Sequence, residues 1–183
     1  LWKDGGAVLE QLIKGTPKEG SISPMVYYYL ACFADKMGQN DNSTRYSRLA
    51  VQMSPDYVFP FQSEAIAVLE GAMKRNPADA RAPYYLGNLL FDSQPGAAVI
   101  LWEKAVTLDP SFPIPHRNLA IAYSHQAKGN DLKKAIACLE QAVSQQTKYP
   151  IHFCELDELY EAAGTAPEKR TAMLEKNMNM VVG

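Results

Sequence analysis

Nowhere in this sequence do apolar residues run on for the roughly 18 positions that a membrane-spanning helix needs. No membrane partner is expected. Cysteine is scarce: Cys32, Cys138 and Cys154 make an odd count without C-x-x-C spacing. That arithmetic excludes a zinc site of cysteine pairs and argues against a disulfide framework. The three read as buried free thiols in a reducing compartment, so the expected address is cytoplasmic. An excess of either charge is missing too. The formal net charge is −2 with dispersed basic residues, which lacks the electrostatic footprint of a nucleic-acid binder. No secretory leader is visible, and a chain opening on Leu1 is expected to continue upstream.

Catalytic signatures are absent as well. The chain has no G-x-x-x-x-G-K-[ST], G-x-G-x-x-G, G-x-S-x-G or H-E-x-x-H. Its histidines, His116, His125 and His152, are scattered. His116 takes a core-facing position and reads as a packing histidine. His152 and Cys154, two apart on a helix, point different ways and cannot share a metal. Glu155, Asp157, Glu158 and Glu161 crowd one helix; a solvated acidic face is the plain reading, an acid/base pair the sharper one. No catalytic residue, metal or cofactor is expected, and the chain is read as no enzyme.

What is present is helical periodicity. Over 183 residues, 47% hydrophobic and 21% charged, the clearest stretch is Asp79–Pro110. It holds two amphipathic helical patterns on either side of Ser93-Gln94-Pro95-Gly96, with Asp79 as the expected cap. The first carries Leu86-Gly87; the second carries Ala98, Trp102 and Ala105, and Asp109-Pro110 closes it. That order resembles the tetratricopeptide repeat. The resemblance implies an all-α fold of helix-turn-helix repeats stacked in a right-handed α-solenoid. Gly87, Ala98 and Ala105 would let helix backbones approach, with Trp102 filling the gap between neighbouring hairpins.

The rest of the chain falls into phase with this unit. Trp2, Val8, Leu9, Leu12 and Ile13 suggest the second helix of a repeat that starts upstream, followed by a loop over Gly15–Ile22. Ser23-Pro24 starts a helix that stops at Gly38, and Asn42 or Ser43 is the expected cap of its partner. Ser43 and Ser47 stand at packing positions. The expected hairpins are 23–55, a degenerate short unit at 56–77, 79–110, 113–147 and 150–176, all in one repeat domain. Pro60 would break a first helix in the short unit, so a helical stub or extended strand is expected there. Tyr57, Phe59 and Phe61 would plug the seam between hairpins, or else form an aromatic binding spot. Asn130-Asp131 should cap a helix after the long turn Gln126–Asp131, and Thr165-x-x-Glu168 has the form of a capping box. Leucines 30, 86, 119 and 156 share one slot in four hairpins.

Strings such as Pro-Met-Val-Tyr-Tyr-Tyr-Leu-Ala and Arg-Ala-Pro-Tyr-Tyr-Leu-Gly-Asn-Leu-Leu are also similar to the helical C-terminal half of large bacterial proteins with a β-rich N-terminal domain. The repeat resemblance implies a non-catalytic scaffold that binds a protein, a peptide or another domain of its own chain. The alternative is an accessory region supporting a carbohydrate-active or other enzymatic β-rich domain of the same parent protein. The family's concave face falls here on Tyr28, Arg81, Tyr84, Asn88, Phe91, Arg117, Ile121 and His125, with Met25, Cys32, Ile114, Ile151, Cys154 and Glu158 in the remaining slots. Asn88 and Asn118 match two slots of the family's carboxylate clamp, but Tyr84, Ile151 and Glu155 occupy its cationic slots, which argues against that activity. Self-association through the two chain ends is a further expectation.

Overall fold

Local chemistry sets where the helices begin and turn. The computed structural model describes residues 1–16, 22–125, 129–145 and 149–181. Helix α1 spans Trp2–Gly15 and α2 spans Pro24–Lys36. Ser23 Oγ accepts the Met25 N–H at 3.3 Å, and Pro24 opens the first turn, where no N–H is missed. The helix stops at Gly38, whose φ of 70° suits a residue without Cβ. There the Gly38 N–H donates to Asp35 O at 3.0 Å and the Gln39 N–H to Ala34 O at 2.9 Å. This turn is so tight that α3 (Asn40–Gln52) starts ahead of the expected cap, with Gln39 as its N-cap. Ser43 does other work: buried, it donates to Ala31 O at 2.9 Å and ties α3 to α2.

Past α3 a helix is missing. Residues 53–63 hold turns and irregular backbone, neither the helical stub nor the strand expected there, before α4 begins (Glu64–Arg75). The complete repeat follows as α5 (Arg81–Leu90) and α6 (Pro95–Leu108). Asp79 caps α5 as expected, its Oδ1 accepting the N–H groups of Arg81 at 2.8 Å and Ala82 at 3.1 Å. Its Oδ2 accepts the Tyr28 hydroxyl at 2.8 Å, so one buried carboxylate links α2 to α5. Burial holds this carboxyl above the usual range and, with the neighbouring Asp79, holds the Tyr28 hydroxyl protonated.

The remaining helices are α7 (Pro113–His125), α8 (Gly129–Ser144), α9 (Ile151–Ala162), α10 (Pro167–Lys176) and the single turn α11 (Met178–Val181). The loop 17–21 and part of the long turn, 126–128, lie outside the described residues. Helix α8 is already helical at Gly129, ahead of its expected cap pair. Thr165 does not cap α10. Its N–H donates to Tyr160 O at 2.9 Å to finish α9 behind Gly164 (φ 71°), and Ala166 is the N-cap.

The chain forms two compact units, Leu1–Leu108 and Asp109–Gly183. In the first, α2 packs on α3 and α5 on α6, while α4 packs on both α2 and α5. A Cβ on Gly87 would lie 2.4 Å from Trp102 Nε1. The indole therefore occupies the place of a side chain at 87, and its N–H reaches Asn88 Oδ1 at 3.1 Å and Tyr84 O at 3.3 Å. These partners lie within Trp102's own hairpin, a correction to the expectation that it fills the gap between hairpins. In the second unit α7 packs on α8 and α8 on α9, around Ala120, Ala135, Leu139, Ala142, Leu156 and Tyr160. Leucines 30, 86, 119 and 156 are all buried in the first helix of their hairpins. Each such burial is worth about 1.5–3 kcal/mol.

Candidate functional site

The irregular segment at 53–63 carries the most exposed aromatic surface of the first unit. Tyr57 is 91% exposed, Phe59 72% and Phe61 83%, so they do not plug a seam. The backbone here alternates: Val58 turns inward and is buried, while its odd-numbered neighbours face out. Tyr57 takes a φ of 58°, a left-handed conformation that a bulky residue seldom adopts. Ser54 Oγ accepts the Asp56 N–H at 3.3 Å just before that turn. Pro60 can offer no N–H, which removes a donor from the segment.

Beside these rings lies a hollow of about 210 Å³ bounded by Met25, Tyr29, Val58, Phe59, Phe61 and Gln62, among others. The Tyr29 hydroxyl donates to Gln62 Oε1 at 3.3 Å, which leaves the Gln62 amide N–H groups at the rim. Burial and the nearby Glu64 charge raise the Tyr29 hydroxyl above its ordinary value, so it remains a donor. Among the described residues no charged side chain lines the hollow. Ring faces with a few uncharged donors suit an extended, apolar or proline-containing segment, whose carbonyls need partners and whose side chains need apolar contact.

The positions drawn from the family's concave face divide differently. Tyr28 and Tyr84 are fully packed, at 0% and 4% exposure, and are corrected from contact residues to core residues. Tyr28 meets Tyr85 edge-on at 6.0 Å between centroids, and Tyr84 meets it at 5.1 Å. Phe91 is half-buried against Trp102 at 5.0 Å, and Asn88 holds the same indole. Arg81 and Ile121 are half-buried, and His125 is exposed. Arg117 grips Glu155 with two guanidinium nitrogens, its Nε lying 2.7 Å and 3.0 Å from the two carboxylate oxygens. Of the wider set, Met25 lines the hollow beside the aromatic segment.

The acidic helix α9 proves to be neither a bare solvated face nor an acid/base pair. Glu155 is held by Arg117, and Arg170 holds Asp157 through two 2.8 Å bonds and Glu161 through a third. The Arg170 guanidinium keeps the Asp157 carboxyl below the usual range. Glu158 is exposed. His116 is buried with Nε2 3.0 Å from Pro110 O, and burial lowers its pKa. All three cysteines are free thiols, but none is buried as expected: Cys32 and Cys138 are half-buried and Cys154 is exposed. Among the described residues no three His, Cys, Asp or Glu side chains converge to hold a metal. None of the helices is long and apolar enough, among the described residues, to cross a membrane.

Comparison with solved structures agrees with the helical repeat. A crystal structure of MamA matches with a TM-score of 0.56 at 15% identity, over 98% of this chain and 88% of that one. MamA 41-end from Desulfovibrio magneticus RS-1 matches at 0.55 and 17%, over 98% and 94%. A human IFIT1 dimer with m7Gppp-AAAA matches at 0.52 and 17%, over 93% of this chain but 35% of IFIT1. Both are tetratricopeptide-repeat proteins, and the chain has their all-α solenoid fold class. At these identities the likeness shows the fold alone. No protein-family model and no curated protein matches the sequence.

Proposed function

We propose that this chain is a non-catalytic scaffold that holds an extended polypeptide segment against the aromatic stretch Tyr57–Phe61. The observation that carries this reading is the outward alternation of Tyr57, Phe59 and Phe61 beside a hollow with no charged side chain among its described residues. Three large aromatic side chains left in water at one place give up hydrophobic stabilisation that a partner can recover, each ring offering wide contact area at low entropic cost. The segment held is a peptide, a partner protein or another domain of the parent chain; in the last case the repeats would support a β-rich neighbour. On the second unit, taken by itself, His125 and Ile121 of α7 are separate candidate contact positions. Leu1 and, on α1, the exposed Val8 and Leu12 are the candidate surface for self-association.

The test is a peptide array probed with wild-type protein and with a Tyr57→Ser, Phe59→Ser, Phe61→Ser variant. Bound peptides rich in proline and apolar residues are expected, with the signal lost in the variant. Binding that survives all three changes would place the docking surface elsewhere.

A further inference from the structure

On a different face of the first unit, a cavity of about 390 Å³ opens between α3 and the end of α4. Its walls are polar: Arg75, Arg48, Ser47, Thr44, Asn40 and Asn76 contribute donors, and Asp35 stands at one side. Arg75 lies back over its own helix, its Nη1 filling the space where a Cβ on Gly71 would fall, 2.9 Å away. Its guanidinium is under-used. Nε and Nη2 are buried and make no hydrogen bond, while Nη1 reaches Asp35 Oδ2 only at 3.5 Å. The Ser47 hydroxyl, on a side chain 7% exposed, is likewise buried with no partner. Arg48 is exposed and makes no ion pair among the described residues. It also borders a second hollow, of about 460 Å³, that includes Arg45 and Asp41.

Buried donors without acceptors cost about 1–3 kcal/mol each, and more when the group is charged. A native cavity lined by several of them is explained when an acceptor-rich group enters it. We propose that this cavity binds a phosphate group, free or as a small monoester. Positive charge prevails around the cavity: two guanidinium groups face one carboxylate, and the hydroxyls of Thr44 and Ser47 and the amides of Asn40 and Asn76 add donors, while the Ser43 hydroxyl is already given to Ala31 O. A phosphate brings three strong acceptor oxygens and close to two negative charges, which suits that surplus better than a second carboxylate does. Asp35 is the built-in competitor. At 45% exposure and 3.5 Å it is loosely held, and a dianion displaces it into solvent. The first turn of α3, with Asn40 at its start, adds the positive end of a 13-residue helix to the same wall.

The experiment titrates inorganic phosphate and, separately, O-phosphoserine into the protein, following 31P shifts and calorimetric heat. Saturable millimolar or tighter binding is expected. Arg48→Gln, which lies on the surface and leaves the core untouched, weakens it by about tenfold or more. Asp35→Asn tightens it several-fold by removing the competitor, a change that a merely structural arginine would not produce. Clearly tighter binding of phosphoserine assigns the site to a monoester, and equal binding assigns it to the free ion. Absence of saturation with both ligands overturns the proposal. So does binding indifferent to Arg48→Gln and Asp35→Asn, which would mark an adventitious surface ion only.

Discussion

The complete hairpin α5/α6 and the shortened stretch from Met53 to Arg75 are both rich in aromatic residues and turn them in opposite directions. In the hairpin, Tyr84, Tyr85 and Trp102 are buried, and Trp102 sits where Gly87 leaves no side chain. In the shortened stretch Tyr57, Phe59 and Phe61 face water. The difference does not lie in the residues, which are equally apolar. It lies in whether a second helix surface is at hand. A helix presents its rings on one stripe toward a partner helix, while an extended segment lays alternate residues on opposite sides, and only one side meets the core. Val58 takes the inner side and the rings take the outer one. A missing helix thus leaves an exposed aromatic surface.

The widest gap between the two regions should appear in stability. Trp102→Ala removes a buried indole and its two hydrogen bonds, and urea unfolding should show a loss of about 3–5 kcal/mol. A loss below about 1 kcal/mol would break the comparison, because the complete hairpin would then not depend on its inward ring. The second unit offers a titratable inward ring as a sharper case. His152 is 2% exposed and packs on Tyr149 at 5.2 Å, and burial lowers its pKa to about 4. An unfolded histidine titrates near 6.5, so acidification below that value protonates the unfolded chain first. The stabilisation from a neutral His152 is complete above pH ~6.5 and is lost as pH falls toward ~4, by up to about 3 kcal/mol. Urea midpoints across that range check it, and His152→Phe should flatten the slope. Within the shortened stretch the contrast is smaller. Val58→Ala should cost about 1–2 kcal/mol, while Phe59→Ser alone stays within about 0.5 kcal/mol. Reversed values would mean that the alternation runs the other way.

The sequence makes the helical hairpins legible because their packing is local. Leu86-Gly87 with Ala98, Trp102 and Ala105 specifies one hairpin within thirty residues, and Asp79 as a cap needs only the two N–H groups that follow it. The serines at 43 and 47 are buried, as their phase implies. Long-range pairings are not legible in this way. Nothing near Arg117 announces Glu155, 38 positions on, and nothing near Tyr28 announces Asp79, 51 positions away. Both partners change what the family slots would have presented. The alternation of Tyr-Val-Phe-Pro-Phe about Val58 is legible in the sequence, but which side of it meets the core is not, because the surface that buries Val58 lies on other elements. The α3 cavity lies beyond sequence reading, because its walls come from three different helices, α2, α3 and α4.

The triple variant Tyr57→Ser, Phe59→Ser, Phe61→Ser, unfolded in urea beside the wild type, tests the central contrast most directly. Outward rings predict the same midpoint within about 0.5 kcal/mol of stability. A loss of several kcal/mol would show that these rings are packed in the core, and the binding surface built on them would be gone.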